Sequence, residues 1–387
     1  MRKFLICNIL FFLFLYKNTF AQKNEKLIAD LIQEIASMQV KANGEFYTGM
    51  FPSFRECRGF PHNYQPDNNI YYTGVIAFAL QKLLPELHGE NKKTVEIILQ
   101  KIRNVYPHYK NKKGLPYYGF WPVNGTILPH SFFFKYLKRV FAQGEDADDS
   151  VIILMTDNSD DSTANVLKKQ LIATSNLATP ERKIISTYRK YRHLPAYSTY
   201  LGNYMTPDFD FAVQCNIMYF MFDKKLPFTK QDSATLDLIT DMVKDRKYIT
   251  SSVYISPYYV HPSILLYHIS RLMGAFKIPQ LKIYKDQLIK DIHQELNKNY
   301  NVMDQIILRT SLLRLGTDAP PLPLNSITQF EKSNEATYVF FQARAAFSYP
   351  TPFKQIFLHW SYLNYLFYCP AYNKVLWLEY LVENTKN

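Results

Sequence analysis

The chain has 387 residues, 47% of them apolar and 16% aromatic, and a formal net charge of +12, enough length for one large domain or two small ones. Its Lys and Arg residues are scattered, with only brief clusters at 110–113 and 189–192, so the basic stripe of a nucleic-acid binder is missing and no nucleic-acid partner is expected. An anionic ligand or cell surface is the alternative to plain solvated charge.

The first element is a leader. Arg2 and Lys3 precede an almost wholly apolar run over 4–16, and Thr19-Phe20-Ala21 offers small residues where a signal peptidase reads. Residues 1–21 are expected to be removed, leaving a single exported domain over 22–387 in the periplasm or outside the cell. The apolar run is shorter than the roughly 20 residues a bilayer span needs, and no later stretch is long enough, so no membrane span is expected. Cys7 lies at the start of the run and not at its end, which argues against a lipid anchor. The other cysteines, Cys57, Cys215 and Cys369, have no CxxC spacing; they exclude a disulfide framework, permit one bridge, and with no HxxxH spacing give no structural zinc site.

From there two kinds of helical segment alternate. Spans 24–42, 91–106, 163–173, 232–246 and 280–297 are amphipathic; in the first, Leu27, Ile28, Leu31, Ile32, Ile35 and Met38 form one stripe. Spans 68–84, 148–155, 211–222, 262–273 and 304–315 are apolar nearly all round and must be buried on every side. Several open on a polar cluster: Asp67-Asn68-Asn69, Asp146 to Asp149, Asp208 to Asp210, His261-Pro262 and Asp304. Outer and inner helices repeating about five or six times describe stacked hairpins, and the expected fold is an all-α, α/α toroid that gathers the acidic helix starts at one rim. An open right-handed solenoid is the alternative. Long aromatic loops at 44–65, 114–131 and 191–207 are lids, binding loops or plugs. The stretch 320–349 is harder to read, and 337–344 fits a strand, an irregular loop or another inner helix.

The densest chemical signal is Gly144-Glu145-Asp146-Ala147-Asp148-Asp149-Ser150. One Asp caps a helix; several crowded carboxylates repel, a cost relieved by a cation, a shared proton or a substrate hydroxyl. Asp146-Ala147-Asp148-Asp149 resembles the DxDD motif of class II terpene cyclases, a resemblance that implies Asp148 as proton donor inside an α/α toroid. The layout is similar, too, to the six-hairpin glycosidases and polysaccharide lyases, which implies a carboxylic acid paired with a second carboxylate. Asp208 and Asp210 at the next inner helix are the second partner, unless Asp208 only caps that helix with Asp210 in its first turn.

Asp67, Trp121, Tyr197, Tyr200, Tyr258 and His261 are the expected substrate-binding residues, since loop aromatics suit sugar faces and carbocations alike. His261 is read as either a general acid or base or a hydrogen-bonded structural residue. The acidic turn at 157–161 lacks the EF-hand pattern and reads as a solvated loop; calcium is the one ion the acidic segments suggest, and no other cofactor is expected. There is no glycine-rich phosphate loop and no GxSxG elbow. Export and the acidic rim together point to a carbohydrate-active enzyme, a glycoside hydrolase or lyase, acting on extracellular glycans. The alternatives are a single-toroid, terpene-cyclase-like enzyme and a non-catalytic glycan- or peptide-binding protein of the cell envelope.

Overall fold

A computed structural model describes residues 24–125, 128, 130, 144–202, 205–298, 300–333, 338–344, 350–358, 362 and 364–386. The expected leader, 1–21, lies outside them, as do parts of the loops 114–131 and 191–207 and of the stretch 320–349. In chain order the helices are α1 (24–38), α2 (Tyr71–Leu83), α3 (Gly89–Arg103), α4 (Ala147–Thr156), α5 (Asp161–Ala173), α6 (Phe211–Asp223) and α7 (Lys230–Lys244). There follow the short α8 (Lys247–Thr250) and α9 (Ser252–Ile255), α10 (Pro262–Ala275), the short α11 (Pro279–Lys282), α12 (Lys285–Leu296), α13 (Val302–Arg314), the short α14 (Ile327–Lys332) and α15 (Phe353–Phe357), and α16 (Pro370–Thr385). The described chain is therefore mostly α-helical.

Two sets of helices differ in what they bury. In α3 the buried side chains are Val95, Ile98, Leu99 and Ile102, the i, i+3, i+4, i+7 stripe of a surface helix. In α6 everything from Phe211 to Met221 is buried, because its sequence offers no polar face. Helices α2, α4, α10, α13 and α16 are of the same buried kind. Each of the six packs on two others, in the order α2, α4, α6, α10, α13, α16 and back to α2, so the succession of neighbours closes on itself. The amphipathic helices back them: α3 on α2, α5 on α4, α7 on α6, and α12 on both α10 and α13. One contiguous hydrophobic core runs from Leu27 to Val382.

Three features depart from the reading of the sequence. The sixth buried helix, α16, was not foreseen; its Asn373, Lys374 and Glu379 are buried among apolar neighbours and mask its character. The span 280–297 is two helices, interrupted at Ile283 and Tyr284, where Ile283 faces solvent and breaks the apolar stripe. Finally, the chain is not all-α. Strands β1 (Phe54–Cys57), β2 (Phe60–Pro66), β5 (Phe341–Ala343) and β6 (Tyr365–Tyr368) form an antiparallel sheet in the order β2-β1-β6-β5. Runs such as Phe54-Arg55-Glu56-Cys57 are too short to display a strand period. The β1–β2 turn needs Gly59, where a Cβ would lie 2.5 Å from the Tyr362 carbonyl oxygen.

A second, two-stranded sheet pairs β3 (Tyr118–Gly119) with β4 (Glu145–Asp146), with Tyr118 opposite Asp146, and a bridge to Tyr200 flanks Asp146 on its other side. Cys57, Cys215 and Cys369 are free thiols. Among the described residues no helix is long and apolar enough to cross a membrane.

Candidate functional site

The acidic motif sits where β4 turns into α4. Asp146 is extended, held by backbone pairing between Tyr118 and Tyr200, and caps α4 by accepting from the Asp148 amide at 2.7 Å. Helical geometry then aims Asp148 and Asp149 about 100° apart. Asp148 is buried against the adjoining helices: its Oδ1 accepts from Asn216 Nδ2 at 2.5 Å, and its Oδ2 accepts a short hydrogen bond from the Tyr259 hydroxyl.

Asp149 is different. It is 2% exposed, and neither carboxyl oxygen has a hydrogen-bond partner among the described residues. A bare buried carboxylate costs too much to keep. Burial first, and then the charges of Asp146 and Asp148, hold its carboxyl well above the usual carboxylate range. Burial and Asp148 push Asp146 up to about 8. Asp146 keeps partial solvent access even so. Two adjacent carboxyls raised in this way favour holding a proton between them near neutral pH.

Asp210, and not Asp208, caps α6, contrary to the alternative reading of the sequence. Asp210 Oδ1 accepts from the Ala212 amide at 2.9 Å and the Ser256 hydroxyl at 2.6 Å; its Oδ2 accepts from the Tyr258 amide at 3.2 Å. Burial, against these hydrogen bonds, pushes it up to about 7. The Asp210 charge also acts weakly on Asp146. Asp208 is turned elsewhere, its Oδ1 taken by the Ser186 hydroxyl at 2.7 Å and the buried Lys354 ammonium at 3.5 Å. Burial raises its pKa while Lys354 opposes the shift.

The expected substrate-binding residues divide. The Tyr200 and Tyr258 hydroxyls are 2.6 Å apart, beside Asp146 and Asp210. Asp67 and Trp121 are joined to each other, the indole N–H donating to Asp67 Oδ1 at 3.1 Å; Asp67 also pairs with Arg55 at 3.1 Å and accepts from Asn69 at 2.9 Å. Asp67 is thus fully engaged in bracing the start of α2. Tyr197 points to α7, where its hydroxyl donates to Asp232 at 2.9 Å, and it does not join the acidic group. His261 is exposed at the start of α10. Burial by the surrounding protein lowers its pKa, Asp304 opposes this, and Arg344 and Arg58 lower it further.

Several residues of this environment were not singled out from the sequence. Asn216 Oδ1 accepts a short hydrogen bond from Arg271, whose guanidinium lies over the Tyr267 ring at 5.4 Å; the Tyr267 hydroxyl donates to Glu379 at 2.6 Å, and Glu379 pairs with Arg314. The signal was present as polar letters in mostly apolar helices, Asn216 in α6 and Arg271 in α10. Tyr71, Tyr259 and Phe341 pack beside Asp148 with centroids 5.1 to 6.0 Å apart. The Tyr71 hydroxyl is near enough to Tyr259 to affect its ionisation but makes no well-formed hydrogen bond. The acidic turn at 157–161 serves local structure: Asp157 accepts from the Ser159 amide at 2.8 Å, and Asp160 caps α5. Among the described residues no three His, Cys, Asp or Glu side chains are grouped to hold a metal ion.

No family model matches the chain, and neither a curated protein nor a solved structure is significantly similar to it.

Proposed function

We propose that the chain is an exported α/α toroid that acts as a general-acid enzyme on extracellular glycans, of the glycoside hydrolase or lyase type. The closed succession of six buried helices, backed by amphipathic ones, supports the toroid. The observation that carries the chemistry is the Asp146 and Asp149 pair: two adjacent carboxyls that burial and mutual charge hold above the usual carboxylate range, the first of them on a residue only partly buried. Asp146 donates to the leaving oxygen, and Asp149 is the adjacent proton store. Asp210 is the second carboxylate, since its pKa of about 7 leaves it part ionised at neutral pH.

A second reading, a terpene-cyclase-like enzyme, is favoured by one observation. The wall beside Asp148 is aromatic, built from Tyr71, Tyr259 and Phe341, and would face a carbocation with ring π-systems. Such an enzyme needs a single proton donor and no second carboxylate.

The test is turnover of a panel of oligosaccharides and of a linear polyprene by the wild type, Asp146→Asn, Asp149→Asn and Asp210→Asn. Glycan cleavage abolished by Asp146→Asn supports the first reading, and polyprene cyclisation supports the second. Glycan binding without product in every variant would leave a non-catalytic binding protein.

A further inference from the structure

The outer end of the four-stranded sheet carries a group of basic side chains that the acid chemistry does not use. Strand β6 lies between β1 and β5, with Tyr365 opposite Cys57 on one side and Ala343 on the other. One step further, Arg58 and Arg344 flank Asn364, and the Arg58 amide donates to the Asn364 carbonyl at 2.9 Å. The Arg58 charge acts on the Arg344 guanidinium, so the two side chains lie near one another at this end of the sheet.

Neither arginine is neutralised by a carboxylate among the described residues. Arg344 is steadied by neutral acceptors, donating to the Leu358 carbonyl at 2.6 Å and, with the Gln342 amide turned to accept, to Gln342 at 2.7 and 3.0 Å. Burial and the Arg58 charge push its guanidinium down to about 10. Arg58 is exposed. His261 joins them at the start of the 14-residue α10, the positive end of that helix dipole, and feels both arginine charges. The acid that faces it, Asp304, already accepts from the Ser263 and Tyr338 hydroxyls.

The basic group and the acidic motif share two segments. The Gln342 amide donates to the Tyr258 carbonyl at 3.0 Å, and Phe341 stacks on Tyr258. Arg344 is three residues beyond Phe341, and His261 three beyond Tyr258, so the basic group is a short stretch of chain from the side chains beside the acidic motif.

We propose that Arg58, Arg344 and His261 form an oxyanion-recognition site, and that the substrate of the acidic rim carries a carboxylate, sulfate or phosphate group that docks there. The second half rests on the general-acid reading above; the first half does not. Guanidinium pairs left without carboxylates suit bidentate oxyanions, and a nearby protonated acid spares the substrate's charge from repulsion.

The test is calorimetric binding of inorganic phosphate, of an oligouronate and of a neutral oligosaccharide of equal length to the chain 22–387, without turnover. The wild type is expected to bind phosphate or the oligouronate in preference to the neutral sugar. Arg58→Gln, at an exposed position, should weaken that binding on the order of tenfold, as should His261→Gln, with Lys112→Gln unchanged. Phosphate without oligouronate assigns a small phosphorylated ligand, and oligouronate without phosphate an acidic glycan. Unchanged binding in both variants, or no anion binding by the wild type, overturns the proposal. Asp149→Asn keeps the two readings apart: it should retain anion binding whether or not it abolishes turnover.

Discussion

Asn216 Nδ2 and Asp148 Oδ1 are 2.5 Å apart, joining α6 to α4 through a single amide. The same amide presents its carbonyl to Arg271 on α10. Asn216 thereby lets a buried carboxyl and a buried guanidinium face one another through a neutral group, each hydrogen-bonded and neither in direct ion-pair contact. Replacing it by leucine leaves both without this partner. Asn216→Leu is expected to cost about 3–5 kcal/mol, the range for stripping a partner from a buried charge, measured by urea unfolding.

Asp149 should make stability depend on pH in an unusual direction. Its folded pKa is raised, so the native state keeps a proton that the unfolded chain releases above about pH 4. Wild-type stability therefore falls as pH rises from that point towards the folded pKa. Asp149→Asn cannot ionise, so its thermal midpoint relative to wild type should climb steadily between pH 4 and 8. A constant offset across that range would contradict the assignment.

The proton on Asp146 should be visible in kinetics. With Asp210 pushed up to about 7 as the base and Asp146 pushed up to about 8 as the acid, turnover should rise as pH approaches 7 and fall as pH rises through about 8. Asp146→Asn should lower turnover by roughly 10²–10⁴-fold, the usual worth of a general acid. A pH profile falling on the basic side in both proteins would assign the proton to another group.

Far from the motif, Glu379 ties α16 to its neighbours by accepting from Tyr267 and pairing with Arg314. Glu379→Gln leaves the buried Arg314 without its counter-charge and should destabilise by about 3–5 kcal/mol. The double variant Glu379→Leu, Arg314→Met should cost markedly less, because it removes both charges together. Urea unfolding of the two variants gives the comparison.

Much of this could be read from the residues. Periodicity found five of the six buried helices to within a few residues, because an apolar segment such as Phe211 to Met221 has no other way to fold. It also found Asp146, whose capping role follows from an acid at the head of such a helix. Periodicity could not find β1, β5 and β6, which are three or four residues long and take their definition from partners distant in the chain. Nor could it tell Tyr197 from Tyr200. Both lie in one aromatic loop, and only the position of Asp232 on α7 turns the first away from the motif. The protonation of Asp149 depends on what is absent around it, and a sequence does not list absences.

Strand β6 and α16 close the molecule from the C-terminal side. β6 lies in the middle of its sheet, and the Tyr368 hydroxyl bonds to Glu56 across 312 positions of sequence. Until those last segments arrive, α2 and α13 lack a shared neighbour and β1 lacks its inner partner. Assembly is thus a late, non-local event, slow by the rule that distant contacts delay folding. A nascent chain bearing the first three hundred residues would still display an unfinished apolar seam, the kind of surface that chaperones hold open.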